Sequence, residues 1–444
     1  MSNVVVPVFP KSGVRPSDIA DAARRCGLTP VFVAFSGALG ADERAEYEGF
    51  GPLHETDEHD IGPLVEHLRR YDMAGVTTFS EGLLRFTADL AHRLDLPYHD
   101  RETATRLTDK AAQRSRLAER GVDAVWSVPV TSRAEALALI ERRPGPVVVK
   151  PVRGQSSIDT HLVRDAADFP ADVTPTGERP FVVEEFLLGR DEGDFGDYVS
   201  VESLVVEGTA HTIGVTGKFP LMPPFREHGG FVPSHLDPEE STRVARLAGD
   251  AALALGIRQG LVHTEIKLTP QGPRIIEVNG RLGGFVADMY QRALGTDLHE
   301  LGIRVACGLP VDLPGTAAHT VEFQYFGLSP MPGGVLRRID GVDALLAQPG
   351  IVGRIQRLHE GEALPAQSTS YFLDVLRGTA PNHAAMLDTI DRALAPLRLT
   401  FEEPDGRTSL WQARRGAMKC VGHPGDSAVS APPPPVSHTT GVTS

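Results

Sequence analysis

The chain has 444 residues, of which 41% are hydrophobic and 23% charged, and a formal net charge of −14. That length suffices for two or three cores of ordinary size, and the negative balance argues against a nucleic-acid or anionic-membrane partner. No apolar run reaches the roughly 18 residues that span a bilayer, no signal peptide is recognisable, and three scattered cysteines exclude a disulfide framework. We therefore expect a cytoplasmic protein.

The first hundred residues alternate between apolar strand patterns and amphipathic helix patterns, which predicts a parallel, doubly wound sheet. The glycine motifs GxGxxG and GxxxxGK[ST] are both absent, so no dinucleotide fingerprint or phosphate loop is expected. Ser80 and Glu81 follow a predicted strand. They can either contact a substrate at the carboxyl end of the sheet or form a helix N-terminus.

A helix is predicted from residue 107, with Thr108 or Asp109 as its N-cap. Lys110 lies in the first turn, where a cation is unfavourable against the helix dipole unless an anion is close. Lys150 ends the next apolar strand, and a short turn containing Gly154 follows it. Such a turn can direct backbone N–H groups at phosphates.

The segment 261–284 predicts a β-hairpin, because two strand-like runs flank the turn cluster TPQGP. Glu265 and Glu277 occupy equivalent places on the two strands, and alternation places Asn279 and Arg281 on the same face as Glu277. Two carboxylates and an amide oxygen suit Mg²⁺, for which Mn²⁺ can substitute. An adjacent arginine suits an oxyanion.

These segments, in this order, resemble the ATP-grasp ligases over roughly residues 1–310. The Pro-Ser loop at 233–234, the RLGG run at 281–284 and the length of the C-terminal part resemble the L-amino-acid ligase branch most. The resemblance implies an ATP-grasp fold of the α/β and α+β multidomain class. It also implies a nucleotide site built from Lys110, Lys150, Gly154, Ser156, Ser157, Glu184, Glu185, Phe186, Leu187 and Asp197, with Glu192 or Asp191 as alternatives to Asp197 at the ribose.

The resemblance further implies a metal site of Glu265, Glu277 and Asn279, and catalytic roles for Arg281, Lys150 and Glu277. The substrate residues implied are Lys218, Glu227, His228, Arg281 and Gly284. The expected activity is the ATP-dependent, ADP-forming activation of a carboxylate as an acyl phosphate, which an amine, such as an amino acid, then attacks. The alternatives are a carboxylase-type or purine-pathway ligase and an inactive nucleotide-binding protein.

Five regions are expected. Residues 1–100 form a Rossmann-like domain, 101–187 the small lobe of the ATP-grasp unit and 188–312 its large lobe with the metal site. Residues 313–415 form an α+β module that either covers the site or makes a homodimer contact. Residues 416–444 are rich in Pro, Ser, Thr and Gly, which predicts a disordered tail.

Overall fold

The computed structural model describes residues 2–10, 13–155, 157–313, 315, 318–330, 333–364 and 371–422. The N-terminal region is a four-stranded parallel sheet of order β3-β2-β1-β4, as predicted. Its elements are β1 (Asn3–Pro7), α1 (Pro16–Arg25), β2 (Thr29–Phe35), α2 (Ala41–Glu48), β3 (Leu53–Thr56), α3 (Gly62–Leu68), β4 (Met73–Val76), a 3₁₀ turn (Glu81–Leu83) and α4 (Leu84–Leu94).

Two helices and a small antiparallel sheet follow. Asp100 and Asp109 are the N-caps of α5 and α6, each accepting a backbone N–H of the first turn, as expected for aspartate at this position. The sheet has the order β5-β8-β6-β7. The elements are α5 (Arg101–Thr108), α6 (Lys110–Glu119), β5 (Ser127–Val130), α7 (Arg133–Arg142), β6 (Val147–Pro151), β7 (His161–Val163), a 3₁₀ turn (Ala166–Asp168) and β8 (Phe181–Glu185).

The largest sheet has eight strands in the order β13-β12-β9-β10-β11-β14-β17-β16. Its first part contains β9 (Tyr198–Val206), β10 (Thr209–Lys218), β11 (Gly229–Val232), β12 (Gly260–Thr269) and β13 (Gly272–Asn279), with helix α8 (Pro238–Leu255) inserted before β12. The hairpin β12–β13 confirms the sequence prediction. Residues 200–220 likewise predict a hairpin with its turn at Gly208 and Thr209, and β9–β10 confirms it. Residues 221–240 are rich in proline and glycine without periodicity, which predicts an irregular loop; that prediction is wrong for β11, since Phe231 packs into the core there.

The C-terminal strands divide between two sheets. The elements are α9 (Val286–Leu294), α10 (Leu298–Ala306), β14 (Val321–Leu328), β15 (Val335–Asp340), α11 (Val342–Leu346), β16 (Ile351–Gln356), β17 (Phe372–Ala380), α12 (His383–Leu394), β18 (Arg398–Glu402), β19 (Thr408–Arg414) and β20 (Ala417–Gly422). Because β14 pairs with β11, the eight-stranded sheet crosses the predicted boundary at residue 313.

The disordered tail predicted from residue 416 is wrong for residues 417–422, because β20 pairs with β19 in the sheet β15-β18-β19-β20. The rest of that tail lies outside the described residues.

One hydrophobic core joins the N-terminal sheet to the large lobe, and it includes Val6, Phe32, Leu261 and Leu298. At this junction a Cβ on Gly75 of β4 would stand 2.3 Å from the Ala306 carbonyl oxygen. Only glycine permits that approach, which brings the carboxyl end of β4 towards the β12–β13 hairpin. No helix in the described part of the chain is both long and apolar enough to cross a membrane.

Candidate active site

The two glutamates at the centre of the predicted site lie side by side. Glu265 of β12 is paired directly with Glu277 of β13, and His263 with Asn279. Side chains at directly opposed positions share a face, with their Cβ atoms roughly 5 Å apart. The geometry predicted for the two carboxylates is therefore present.

Helix α6 holds strand β13 from its outer side. The Gln113 side chain accepts from the N–H and donates to the carbonyl of Val278, at 2.8 and 2.9 Å. Arg114 donates to the carbonyls of Ile275 and Ile276, where the register shifts by one residue. A bulge at the edge of a sheet redirects nearby side chains and exposes carbonyls, and here α6 satisfies them.

This docking brings Lys110, the first residue of α6, to the metal candidates. Its Nζ lies 2.8 Å from Glu277 Oε1 and 2.8 Å from the carbonyl oxygen of Gly154. Burial alone would lower the pKa of Lys110, but the carboxylate of Glu277 outweighs it and the pKa is raised. The anion that a lysine in a first helical turn needs is thus supplied by the protein itself. Ser156, also expected in this turn, lies outside the described residues.

Lys150 belongs to a buried charge cluster. Its Nζ donates to Glu184 at 2.9 Å, and Arg114 contacts both oxygens of the same carboxylate at 2.7 and 2.8 Å. Burial would raise the pKa of Glu184, but the two cations lower it to about 2. Glu184 therefore remains a carboxylate that fixes Lys150 beside α6.

The segment 185–187 has part of its backbone engaged within the protein. The backbone N–H of Glu185 donates to Trp126 and that of Phe186 to Pro146, at 2.9 and 3.3 Å. The Glu185 side chain pairs with Arg143 at 3.0 Å. The fold of the small lobe thus uses the first two N–H groups, and the placement of Glu185, Phe186 and Leu187 at the nucleotide stays a prediction.

The three candidates for the ribose contact differ in their bonding partners. Glu192 is engaged with Arg190 and His235, and Asp191 closes a turn by accepting the N–H of Gly193. Asp197 pairs with Lys267 at 2.7 Å. Lys267 lies two residues after Glu265 on β12, so Asp197 adjoins the same face of the sheet as the metal candidates.

A residue from the N-terminal domain completes the site. Glu81 is buried and accepts from Arg281 Nη2 at 2.7 Å. The Asn279 amide, oriented with its nitrogen towards that carboxylate, donates at 2.8 Å. Ser80 makes no side-chain cap bond. The segment is nevertheless a helix N-terminus, because Ser80 directly precedes the 3₁₀ turn that begins at Glu81. Glu81 also contacts Arg281, and a contact of this segment with substrate stays a prediction.

The substrate candidates separate into two groups. Lys218 Nζ and the Tyr198 hydroxyl both donate to Glu227 Oε1, at 3.2 and 3.0 Å. Burial would lower the pKa of Lys218, but Glu227 and the nearby Glu265 raise it. This pair therefore adjoins the two-glutamate site.

His228 lies elsewhere. Its ring stacks on Tyr325 with centroids 5.3 Å apart, and its Nδ1 contacts the Phe326 carbonyl oxygen. The structure therefore does not group His228 with Lys218 and Glu227. A Cβ on Gly284 would meet nothing within 4 Å, and Gly13 of the loop after β1 approaches its Cα.

The sequence did not reveal a buried ion pair next to Glu265, between His263 and Glu202. His263 Nδ1 lies 2.6 Å from Glu202 Oε1, and its Nε2 lies 3.4 Å from Glu265 Oε1. Burial would lower the pKa of His263, but the two carboxylates raise it to about 9. The available signal was the spacing of two between His263 and Glu265, which places both on one face of β12.

The oxygen donors fit a hard cation. Within the ranges the structure describes, no group of three or more His, Cys, Asp or Glu side chains is arranged to hold a metal ion. Mg²⁺ is usually held by one or two carboxylates together with substrate phosphates. The Glu265–Glu277 pair with Asn279 matches that donor set, provided that a ligand supplies the remaining oxygens.

Comparison with known proteins identifies one domain of the chain. Residues 143–288 match the ATP-grasp domain. The alanine–anticapsin ligase of Bacillus subtilis (strain 168) is 28% identical over 284 residues, which cover 59% of this chain and 60% of that protein. Carnosine synthase 1 of Mus musculus is 26% identical over 69% of this chain and 39% of its own length. The chain thus matches less than two thirds of the length of each of these relatives.

Solved structures agree on the fold. The L-amino acid ligase from Bacillus licheniformis superposes with a TM-score of 0.72 at 22% identity, covering 89% of this chain and 98% of that one. The phosphoribosylglycinamide synthetase from Anaerococcus prevotii has a TM-score of 0.65 at 14% identity, covering 90% and 99%. The chain contains an ATP-grasp domain and has the ATP-grasp fold, which confirms the resemblance and the fold class predicted from the sequence.

Proposed function

We propose that this ATP-grasp protein is an ATP-dependent, ADP-forming ligase that joins a carboxylate to an amine, with an amino acid as at least one substrate. One observation carries the proposal: Glu265 and Glu277 are opposed on adjacent strands, with Lys110 and Arg281 beside them. Nucleotide binding alone does not require two adjacent carboxylates beside an arginine. The names of the relatives, an alanine–anticapsin ligase and a carnosine synthase, support the same class of reaction.

The reaction needs activation because a carboxylate has no good leaving group. The carboxylate oxygen attacks the γ-phosphorus of ATP, the bond to ADP breaks, and an acyl phosphate forms. The amine nitrogen then attacks the acyl carbon, the C–N bond forms, and phosphate leaves while the nitrogen loses a proton. No covalent enzyme nucleophile is needed.

The charged groups of the cleft have separate tasks in this reaction. Glu265, Glu277 and Asn279 would hold Mg²⁺, which supplies positive charge to the phosphate oxygens. Lys110 and Lys150 hold the phosphate tail as point charges, the second from a position fixed by Glu184. Arg281, oriented by Glu81, stabilises charge on the transferred phosphoryl group.

The Lys218–Glu227 pair suits an amino acid. A zwitterion carries both charges of that pair, so its carboxylate can meet Lys218 and its ammonium group Glu227. The pair lies near Glu265, because Ser200 of β9 pairs with both Glu265 and Thr216, and Lys218 follows Thr216 by two residues on the same face of β10. Substrate would therefore bind next to the phosphoryl-transfer site.

The test is a matrix of amino acids and small carboxylic acids incubated with ATP and Mg²⁺. We expect ADP release that depends on two substrates, with an amide product of the summed mass minus water. Glu277→Gln should abolish both signals, while Glu239→Gln, at an exposed position in the first turn of α8, should retain them. ADP release that yields no amide with any pair, or a fully active Glu277→Gln, would contradict the proposal.

A further inference from the structure

The buried contact between His263 of β12 and Glu202 of β9 has no role in the proposed reaction. His263 on β12 is the register partner of Glu202 on β9, and Glu265 follows two residues later on the same face. The imidazole touches Glu202 at 2.6 Å on one side and Glu265 at 3.4 Å on the other. Exposure increases from the inner to the outer residue: the side chain of Glu202 is 1% exposed, that of His263 6% and that of Glu265 27%.

The inner contact is the stronger of the two. A separation of 2.6 Å between a ring nitrogen and a carboxylate oxygen is typical of a charge-assisted hydrogen bond, whereas 3.4 Å is a longer, mainly electrostatic contact. Ser200 also donates to Glu202 Oε1, at 3.3 Å. Glu202 therefore anchors the ring, and the ring presents Nε2 to the more exposed carboxylate.

The turn after β13 closes over the same ring. A Cβ on Gly283 would stand 2.5 Å from His263 Nδ1 and 2.8 Å from Cε1. Only a glycine lets the backbone pass this close, which explains one glycine of the RLGG run. The imidazole is thus enclosed between Glu202, Glu265 and the turn that carries Arg281.

We propose that His263 is a positioning residue: anchored by Glu202 and covered by Gly283, it orients the Glu265 carboxylate for the divalent cation of the nucleotide complex. The inference rests on the proposed function. The contact uses Oε1 of Glu265, so the carboxylate can direct its other oxygen to a cation. Groups that orient a metal ligand in this way commonly change metal affinity by about 10- to 100-fold when they are removed.

The experiment measures metal binding directly. Mn²⁺ is titrated into the full-length protein with a non-hydrolysable ATP analogue, and free Mn²⁺ is followed by electron paramagnetic resonance. We expect His263→Ala to weaken Mn²⁺ binding about 10-fold or more, and His263→Gln, which keeps one donor, to lie between that variant and the wild type. His299→Gln is the matched control, because His299 is also buried but contacts Phe79 and Asp297 and none of the metal candidates.

A second variant keeps the histidine. Gly283→Ala displaces the ring by steric contact, so it should weaken Mn²⁺ binding in the same direction even if His263→Ala fails to fold. In turnover assays the Mg²⁺ concentration for half-maximal rate should rise for His263→Gln, while kcat at saturating Mg²⁺ should approach that of the wild type. A purely structural role would lower the melting temperature without moving the Mg²⁺ dependence.

The outcomes separate the two hypotheses. Wild-type-like Mn²⁺ affinity in a folded His263→Ala or Gly283→Ala overturns the positioning role and leaves the proposed function intact. A wild-type protein that binds no Mn²⁺–nucleotide complex overturns both. Weakened binding in the His263 and Gly283 variants, with an unaffected His299→Gln, supports the positioning role.

Discussion

Removing the charge of Glu184 should destabilise the small lobe, and the structure gives the size of the effect. This carboxylate lies within 2.9 Å of Lys150 and 2.7 Å of Arg114, with its side chain 5% exposed. Although burial opposes ionisation, the two cations lower its pKa from the ordinary value of 4.5 to about 2. At about 1.4 kcal/mol per pKa unit, that shift corresponds to about 3 kcal/mol of folding free energy.

The sign follows from the direction of the shift. A carboxyl whose folded pKa is depressed stabilises the fold fully above its unfolded pKa of 4.5 and loses that contribution as the pH falls through about 2. Glu184→Gln should therefore lower stability by about 3 kcal/mol at pH 7, because Arg114 and Lys150 remain buried without their counter-charge. The difference between variant and wild type should shrink as the pH falls below 4.5.

The assay must isolate one lobe, because a protein of several domains does not unfold in a single transition. The chain has two tryptophans, Trp126 beside β5 and Trp411 in β19. In a Trp411→Phe background, fluorescence reports the unfolding of the small lobe in denaturant. Glu141→Gln is the matched control: Glu141 is exposed in the last turn of α7, so we expect a loss of about 0.5 kcal/mol or less. Equal losses for the two variants, or a difference that does not change with pH, would refute the reasoning.

Two further predictions concern Arg281 and the C-terminal strand. Arg281→Lys keeps the charge but loses the planar guanidinium group that contacts Glu81. We therefore expect kcat to fall about 10-fold or more with little change in the ATP KM. Steady-state kinetics measure this, and an unchanged kcat would contradict the proposed role of Arg281 at the phosphoryl group. Truncation after residue 416 removes β20 and leaves β19, which stays paired with β18, as an edge strand. The Trp411 fluorescence transition should therefore move to lower denaturant, whereas an unchanged midpoint would mean that β20 adds no stability.

Local patterns predicted the features of this site that depend on neighbours in sequence. The alternation around the TPQGP turn placed Glu265 opposite Glu277, and the position of Lys110 after Asp109 indicated an anion near the helix start. Both inferences need only the geometry of one hairpin and one helix. The fold class came instead from the resemblance of these segments, in their order, to the ATP-grasp ligases.

The remaining features depend on contacts between distant segments. Glu81 meets Arg281 across 200 residues of sequence, and Arg114 meets Glu184 across 70. No periodicity encodes these separations, because they are set by how the domains pack. The same holds for β14, which joins the large sheet through a register with β11 that neither segment specifies alone.

The pairing of charges in the cleft constrains how a nucleotide can bind. Lys110 and Glu277 neutralise each other at 2.8 Å, so a phosphate that takes Lys110 leaves Glu277 without a partner. An isolated carboxylate in a partly buried site is unfavourable. A divalent cation that arrives with the phosphate removes this penalty, because it occupies Glu277 while the phosphate occupies Lys110. Metal and nucleotide should therefore favour each other's binding, and by linkage the coupling is reciprocal.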